Sequence, residues 1–438
     1  MFKAPPIFGW GFFLYLYGTM AKNNRQAAVG FIFVTILIDV IGFGIIIPVV
    51  PQLLQHLMHV TDKSNISAIS APLLYLTSIY ALMQFLFAPI LGSLSDHYGR
   101  RPILLFSLIG FGLDYIFLAF APTVGWLFVG RLISGVTGAS IPTAAAYMAD
   151  ISDEKNRAKN FGMIGAAFGI GFIIGPFLGG LLGEIGPRIP FLFAAGLALI
   201  NALYGYFILP ESLTLEHRRN FDIKRANPIG ALKNLNKYPS VFGLIVATFL
   251  IYIASHSVQS NWSLVNISKF GWTPKTIGIS LGMIGLLVGL VQGLLIRVVN
   301  PKLGNEKSVY IGIFLYAIGL TLFAFATESW MMFVFLIPYC IGGISGPALQ
   351  ALISIHVAKN EQGELQGSLT GLQSLTAIFG PPMMIGLTSY FSNKNNALHI
   401  YFPGAAFLLG ALLMLASAIV AYIVLKNDPI VHPQEPKG

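Results

Sequence analysis

Three ionisable side chains lie inside apolar stretches that offer them little water: Asp39 in "ILIDVIGFGIIIPVVP", Asp114 in "FGLDYIFL" and Arg131 in "GRLISGVTGA". A charged group in such a setting is costly and needs a partner, a cavity or a change of protonation. Asp39 reads either as an acid hydrogen-bonded to a neighbouring helix or as a carboxylate that binds a proton or substrate in a central cavity. Gly42 and Gly44 nearby permit close approach of another helix. Asp114 reads equally as structural or as a proton relay. Arg131 must find an acid, a carbonyl or water, or snorkel outward.

Uncharged polar residues share these runs: Gln84, Gln259, Asn261, Gln350 and Gln373, with His256 beside them. Such residues either glue helices together or line a cavity. His256 has the side chain best suited to proton exchange near neutrality. It stands six residues before Trp262, which favours an interfacial position near the end of its run. No cluster of His, Cys and carboxylates has metal-ligand spacing, and no phosphate-binding loop of the Gly-x-x-x-x-Gly-Lys-Ser/Thr type occurs. No metal, cofactor or catalytic residue is therefore expected, and no enzyme.

The elements that hold these residues follow from composition. The 438 residues are 55% hydrophobic and 10% charged, with mean hydropathy +0.75. Soluble domains carry about 25% charged residues, so the chain is read as a membrane protein. Apolar runs long enough to span begin near residues 28, 72, 103, 125, 161, 189, 240, 276, 308, 331, 366 and 399, twelve in all. They must be helices, because an open strand leaves backbone groups unpaired in lipid. The net charge of +9 is spread over short connections rather than massed as a nucleic-acid-binding patch. With the N-terminus inside, Lys and Arg number 20 on the inner side and 5 on the outer, which puts both termini in the cytoplasm. The first nineteen residues are too short an apolar stretch to span, and Met20 is the better translation start; an interfacial anchor helix is the rival reading.

A repeat lies under the glycines. At an interval of 205 residues Gly99 falls on Gly304, Gly138 on Gly343, Pro142 on Pro347, Gly162 on Gly367, and Gly175–Pro176 on Gly380–Pro381. The chain is thus expected to be all-α, with twelve transmembrane helices in two pseudo-symmetric six-helix halves. The halves span residues 28–210 and 240–425, behind an N-terminal segment 1–27, joined by a basic linker 211–239 and followed by a tail 426–438. Parallel halves place a ligand site between them near mid-bilayer, opened by rocking. The partners expected are a small-molecule substrate, protons and the bilayer.

"GSLSDHYGRRP" (92–102) sits between the second and third runs. Arg100 and Arg101 supply inside charge, which alone requires neither Asp96 nor Gly92 and Gly99. A conformational latch explains the set: Asp96 capping a helix N-terminus of the second half, the eleventh span's, and Arg100 or Arg101 pairing with Asp150.

These motifs resemble the major facilitator superfamily: "GSLSDHYGRRP" its signature between helices 2 and 3, "GRLISGVTGA" its helix 4 motif, and "GIGFIIGPFLGG" (169–180) the helix 5 motif of its drug/proton antiporters. "YALMQFLFAP", "SLIGFGLDYIFLAF", "GPALQALISI" and "GELQGSLTGL" are similar to the tetracycline/proton antiporter branch. In the helix 5 motif Gly171, Gly175 and Gly179 form one small-residue face, Gly180 follows, and Pro176 removes a backbone hydrogen bond. The resemblance implies export, and roles in proton coupling for Asp39, Asp114 and Arg131. It also implies a helix 9 acid and a helix 8 histidine. This chain departs from that pattern, with Tyr316 or Ala317 and Val288 at those places. The expected function is proton-coupled export of small amphipathic compounds across a bacterial inner membrane; the alternative is a facilitator or importer of a sugar, siderophore or lipid-like metabolite.

Overall fold

The computed structural model describes residues 28–62, 65–152, 154–219, 221, 241–357 and 362–426. The N-terminal segment with Met20, most of the linker and nearly all of the expected tail lie outside these. Among the described residues every regular element is helical. Backbone polar groups in lipid must be satisfied within the segment, and the long apolar runs accordingly fold as rods.

The rods, in chain order, are α1 (Ala28–Ile46), α2 (Ser67–Tyr98), α3 (Arg100–Phe120), α4 (Val124–Ile151), α5 (Glu154–Ile185) and α6 (Ile189–Ile208). The second series opens with α7, in two pieces Phe242–Gln259 and Trp262–Phe270. One helical run, Pro274–Phe325, contains α8 and α9, which part at Gly304. Then come α10 (Ser329–Ile355), α11 (Gln362–Ser392) and α12 (Ala405–Lys426). Splitting the long run at Gly304 gives twelve rods among the described residues, six in each half. The Lys/Arg-rich connections α2–α3, α4–α5 and α8–α9 share one face, here the basic face.

The 205-residue repeat has a backbone counterpart. Gly99 has φ 108° and ψ 161°, and Gly304 has φ 77° and ψ 163°. Both copies turn the chain through a conformation that only glycine adopts without strain. The second mark is a break. α4 consists of Val124–Thr137 and Ser140–Ile151, and α10 is interrupted over Gly342–Ile344. Pro142 and Pro347, 205 apart, have no N–H to give the carbonyl four residues back, so each leaves a weak point at the repeated glycine.

The helix 5 motif packs on two faces. A Cβ at Gly175 would lie 2.7 Å from the Ile41 carbonyl and 3.0 Å from Gly44 Cα, so α5 and α1 cross at backbone contact. Gly171 meets Val40 on the same face. Gly180 points the other way, where a Cβ would lie 2.6 Å from the Pro274 carbonyl and 3.0 Å from Gly278 Cα of α8. Ile173 meets Gly285 of α8 lower down. One helix thus forms both a joint within its half and the seam between halves.

That seam is tight at the face opposite the basic one. There Ser67 Oγ donates to the Ser389 carbonyl at 3.4 Å, Ser263 Oγ to the Ile47 carbonyl at 3.4 Å, and Lys275 N to Glu184 Oε1 at 3.3 Å. Toward the basic face α5 and α8 part: among the described residues no atom of another helix lies within 4 Å of where a Cβ would stand at Gly162, Gly165 and Gly169, or at Gly289 and Gly293.

Candidate functional site

Asp114 and Arg131 pair in the first half, across two helices, and Asp39 lies on a third, with Tyr80 and Tyr115 facing both acids. Arg131 Nη2 donates to Asp114 Oδ2, in an ion pair whose carboxylate side is fully buried. Gly130 makes room for it, since a Cβ there would stand 2.7 Å from Asp114 Oδ1. The guanidinium also lies 5.6 Å from the centroid of Tyr80 on α2, a cation–π distance. Arg131 is therefore held by an acid and an aromatic face.

Asp39 is half-buried as a residue, but both its carboxylate oxygens are buried and have no hydrogen-bond partner among the described residues. The hydroxyl of Ser140, first residue of the second piece of α4, lies beside them. Three residues further along α1, a Cβ at Gly42 would lie 2.8 Å from the Tyr115 hydroxyl. Tyr115 follows Asp114 directly. Tyr80, Tyr115 and Ser140 thus fill the space between the carboxylates, and the sequence reading missed all three. A tyrosine or serine in a span has no charge to mark it out; only the packing shows that these face the acids.

Gln84 is half-buried and donates from Nε2 to the Gly138 carbonyl at 3.2 Å, at the break in α4. The second-half candidates form no comparable cluster. His256 is buried with its ring against Gly380 of α11, and Trp262 is fully buried. Trp262 stacks edge-on with Trp272, Phe323 and Phe407 at 6.2, 5.1 and 6.3 Å, and its Nε1 donates to Ser280 Oγ at 2.8 Å. The interfacial reading of His256 is corrected accordingly, because α7 resumes at Trp262 and runs on to Phe270. Asn261 sits at that interruption, fully buried, with neither amide atom hydrogen-bonded. Gln259, Gln350 and Gln373 are exposed on their helices.

The basic face carries a second constellation. Arg100 Nη1 pairs with Asp96 Oδ1 at 2.5 Å, and its Nε with Asp150 Oδ2 at 3.1 Å. Arg100, not Arg101, thus holds Asp150; Arg101 donates instead to the Tyr206 carbonyl at 2.6 Å. The acid that caps α3 is Glu211, whose Oε1 and Oε2 accept from the amides of Arg100 at 2.8 Å and Arg101 at 3.2 Å. Sequence reasoning had placed Glu211 in the linker. Its position just after Leu209–Pro210, where α6 must end, was the available signal. The chain then returns along the α2–α3 turn, with Arg219 N donating to the Asp96 carbonyl at 3.0 Å. Asp96 itself is committed to Arg100. Its expected cap on α11 lies partly beyond view, since residues 358–361 are outside those described.

The family model described as Major Facilitator Superfamily matches residues 32–302 and 244–438. The chain belongs to that superfamily. Among its relatives, the class C tetracycline resistance protein of Escherichia coli is 38% identical over 394 residues, 90% of this chain and 96% of the relative. The class E protein of Escherichia coli is 40% identical, over 80% of this chain and 84% of its own length. Multidrug resistance protein 2 of Bacillus subtilis (strain 168) is 31% identical, over 82% and 88%. The fold matches a solved bacterial homologue of the human lysosomal transporter Spinster, inward-facing and occupied, with TM-score 0.70 at 14% identity, covering 92% of this chain and 97% of that one. The human organic anion transporter MFSD10 matches with TM-score 0.67 at 22% identity, over 91% and 99%.

The superfamily and the tetracycline branch expected from the motifs are therefore both found, and the chain is a multi-pass membrane transporter rather than an enzyme. At the places where the branch motif implies a helix 9 acid and a helix 8 histidine, the fold has aromatic and apolar packing. The Tyr316 ring lies 5.1 Å from that of Tyr339, and Val288 packs against the core.

Proposed function

We propose that this superfamily member exports small amphipathic compounds in exchange for protons, across a bacterial inner membrane with both termini cytoplasmic. The observation that carries the reading is Asp39. Its buried carboxylate oxygens have only the Ser140 hydroxyl beside them and no cationic partner among the described residues, so its charge is uncompensated until a proton or a cationic group of a substrate arrives. Tyr80 and Tyr115, which face both Asp39 and the Asp114–Arg131 pair, would carry that event from one to the other. With the basic face cytoplasmic, the seam that closes at the opposite face and opens toward the basic one is an inward-facing geometry, ready to take substrate from the cell. The Asp96–Arg100–Asp150–Glu211 set would form the latch that rearranges as the halves rock. The named activity of the class C and class E relatives supports tetracycline-like compounds as the first to try.

The test is drug accumulation in cells expressing the protein, over a panel that includes tetracycline. Export predicts lowered accumulation that a protonophore restores to the level of empty cells. A second reading rests on Tyr316 and Val288: with no acid or histidine there, the chain would be a facilitator of a metabolite. Accumulation unaffected by the protonophore would favour it.

A further inference from the structure

We propose that Gln84 is a positioning residue that pins helix α4 in its bent form between the two buried carboxylates. The break at Gly138–Ala139 divides α4 into two rods with separate attachments. The first, Val124–Thr137, carries Arg131 and through it Asp114. The second, Ser140–Ile151, begins with Ser140 beside Asp39 and ends near Asp150, which holds Arg100. Each rod therefore carries one carboxylate's neighbour, and the second also reaches the basic-face latch.

Pro142 opens the break, because it has no N–H for the Gly138 carbonyl. Gly138 takes φ −72° and ψ 50°, close to an inverse γ-turn, and Ala139 N donates to the Thr137 carbonyl at 2.8 Å. The Gly138 carbonyl left over is the acceptor that Gln84 Nε2 satisfies. The approach is built in: a Cβ at Gly135 would lie 2.5 Å from Met83 Cβ and 2.9 Å from the Tyr80 carbonyl, and one at Gly138 would lie 3.3 Å from Gln84 Nε2. One turn earlier on the same face of α2, Tyr80 lies over Arg131. Helix α2 thus touches the break with Gln84 and the Asp114–Arg131 pair with Tyr80, so movement at either is felt at the other.

The function assigned to the joint rests on the proton-coupling reading above, but the joint itself can be tested apart from it. Gln84→Met removes the donor at nearly equal size, and Pro142→Ala restores a backbone N–H that competes for the same carbonyl. Both changes break one bond, so their effects should not add. In proteoliposomes each single variant is expected to lower substrate-driven proton movement about tenfold, the scale of one buried hydrogen bond, and the double variant no further. Losses that multiply to about a hundredfold would overturn the proposal and make Gln84 a substrate contact. In parallel, spin labels at Trp126→Cys and Ala149→Cys, with the one native cysteine Cys340 replaced, report the angle between the rods. A broadened distance distribution is expected in Gln84→Met, where Pro142 still bars a straight helix, and a shift to the straight-helix distance in Pro142→Ala and in the double; an unchanged distribution in Gln84→Met refutes the pin. If the parent protein moves no protons with substrate, the coupling reading fails, while the label distances still decide the joint.

Discussion

Arg131 reaches Asp114 across the α3–α4 contact because the residue before it is glycine: a Cβ at Gly130 would stand 2.7 Å from Asp114 Oδ1. Two charges buried together offset each other's desolvation only while both are present. Arg131→Met should therefore cost roughly 3–5 kcal/mol by stranding the Asp114 charge. The double variant Arg131→Met/Asp114→Asn should recover most of that loss. Thermal unfolding in detergent of the two variants and their parent checks it, and a double variant less stable than the single one contradicts it.

The turn between α2 and α3 makes a second, independent prediction. Gly99→Ala forces a strained φ, 108° in the native turn, and drives a methyl group into the Glu211 carboxylate. Strain of this kind costs about 1–3 kcal/mol. Glu211→Gln keeps the shape but weakens the cap on the Arg100 and Arg101 amides, with a smaller loss of about 1 kcal/mol. Cysteine labelling at Tyr98, which is exposed beside the turn, should quicken in both and more in Gly99→Ala.

At the opposite face the seam depends on two glycines facing each other, Gly180 of α5 and Gly278 of α8. A β-branched side chain at either has no space. Gly180→Val should wedge the halves apart there and raise the population open at that face, with transport lost and expression retained. Accessibility of a cysteine at Ser67 or Ser389, whose hydrogen bond joins the halves at that face, measures it. Unchanged accessibility would show that the seam yields elsewhere.

The fold could be read from the sequence because the bilayer leaves few choices. Apolar length fixed the rods, and Gly99/Gly304 with Pro142/Pro347 marked the repeat, since positive φ and a missing N–H are backbone demands that few residue types meet. Asp39, Asp114 and Arg131 were visible for the same reason: charge in an apolar run has few explanations. What stayed hidden depends on which helix faces which. Tyr80, Tyr115 and Ser140 look like ordinary span residues until α1, α2, α3 and α4 are brought together. Glu211 was hidden by its position after α6, where it resembles linker. Trp262 misled in the other direction, because tryptophan is common at membrane interfaces and here it is core.

In the proposed function Asp39 exchanges the proton that drives export. The most direct measurement is substrate-driven proton movement in proteoliposomes, comparing the parent with Asp39→Asn. The amide keeps the side chain's shape but binds no proton. The parent is expected to move protons against substrate and Asp39→Asn to move none, with at most downhill substrate flux remaining. Proton movement unchanged in Asp39→Asn would contradict it.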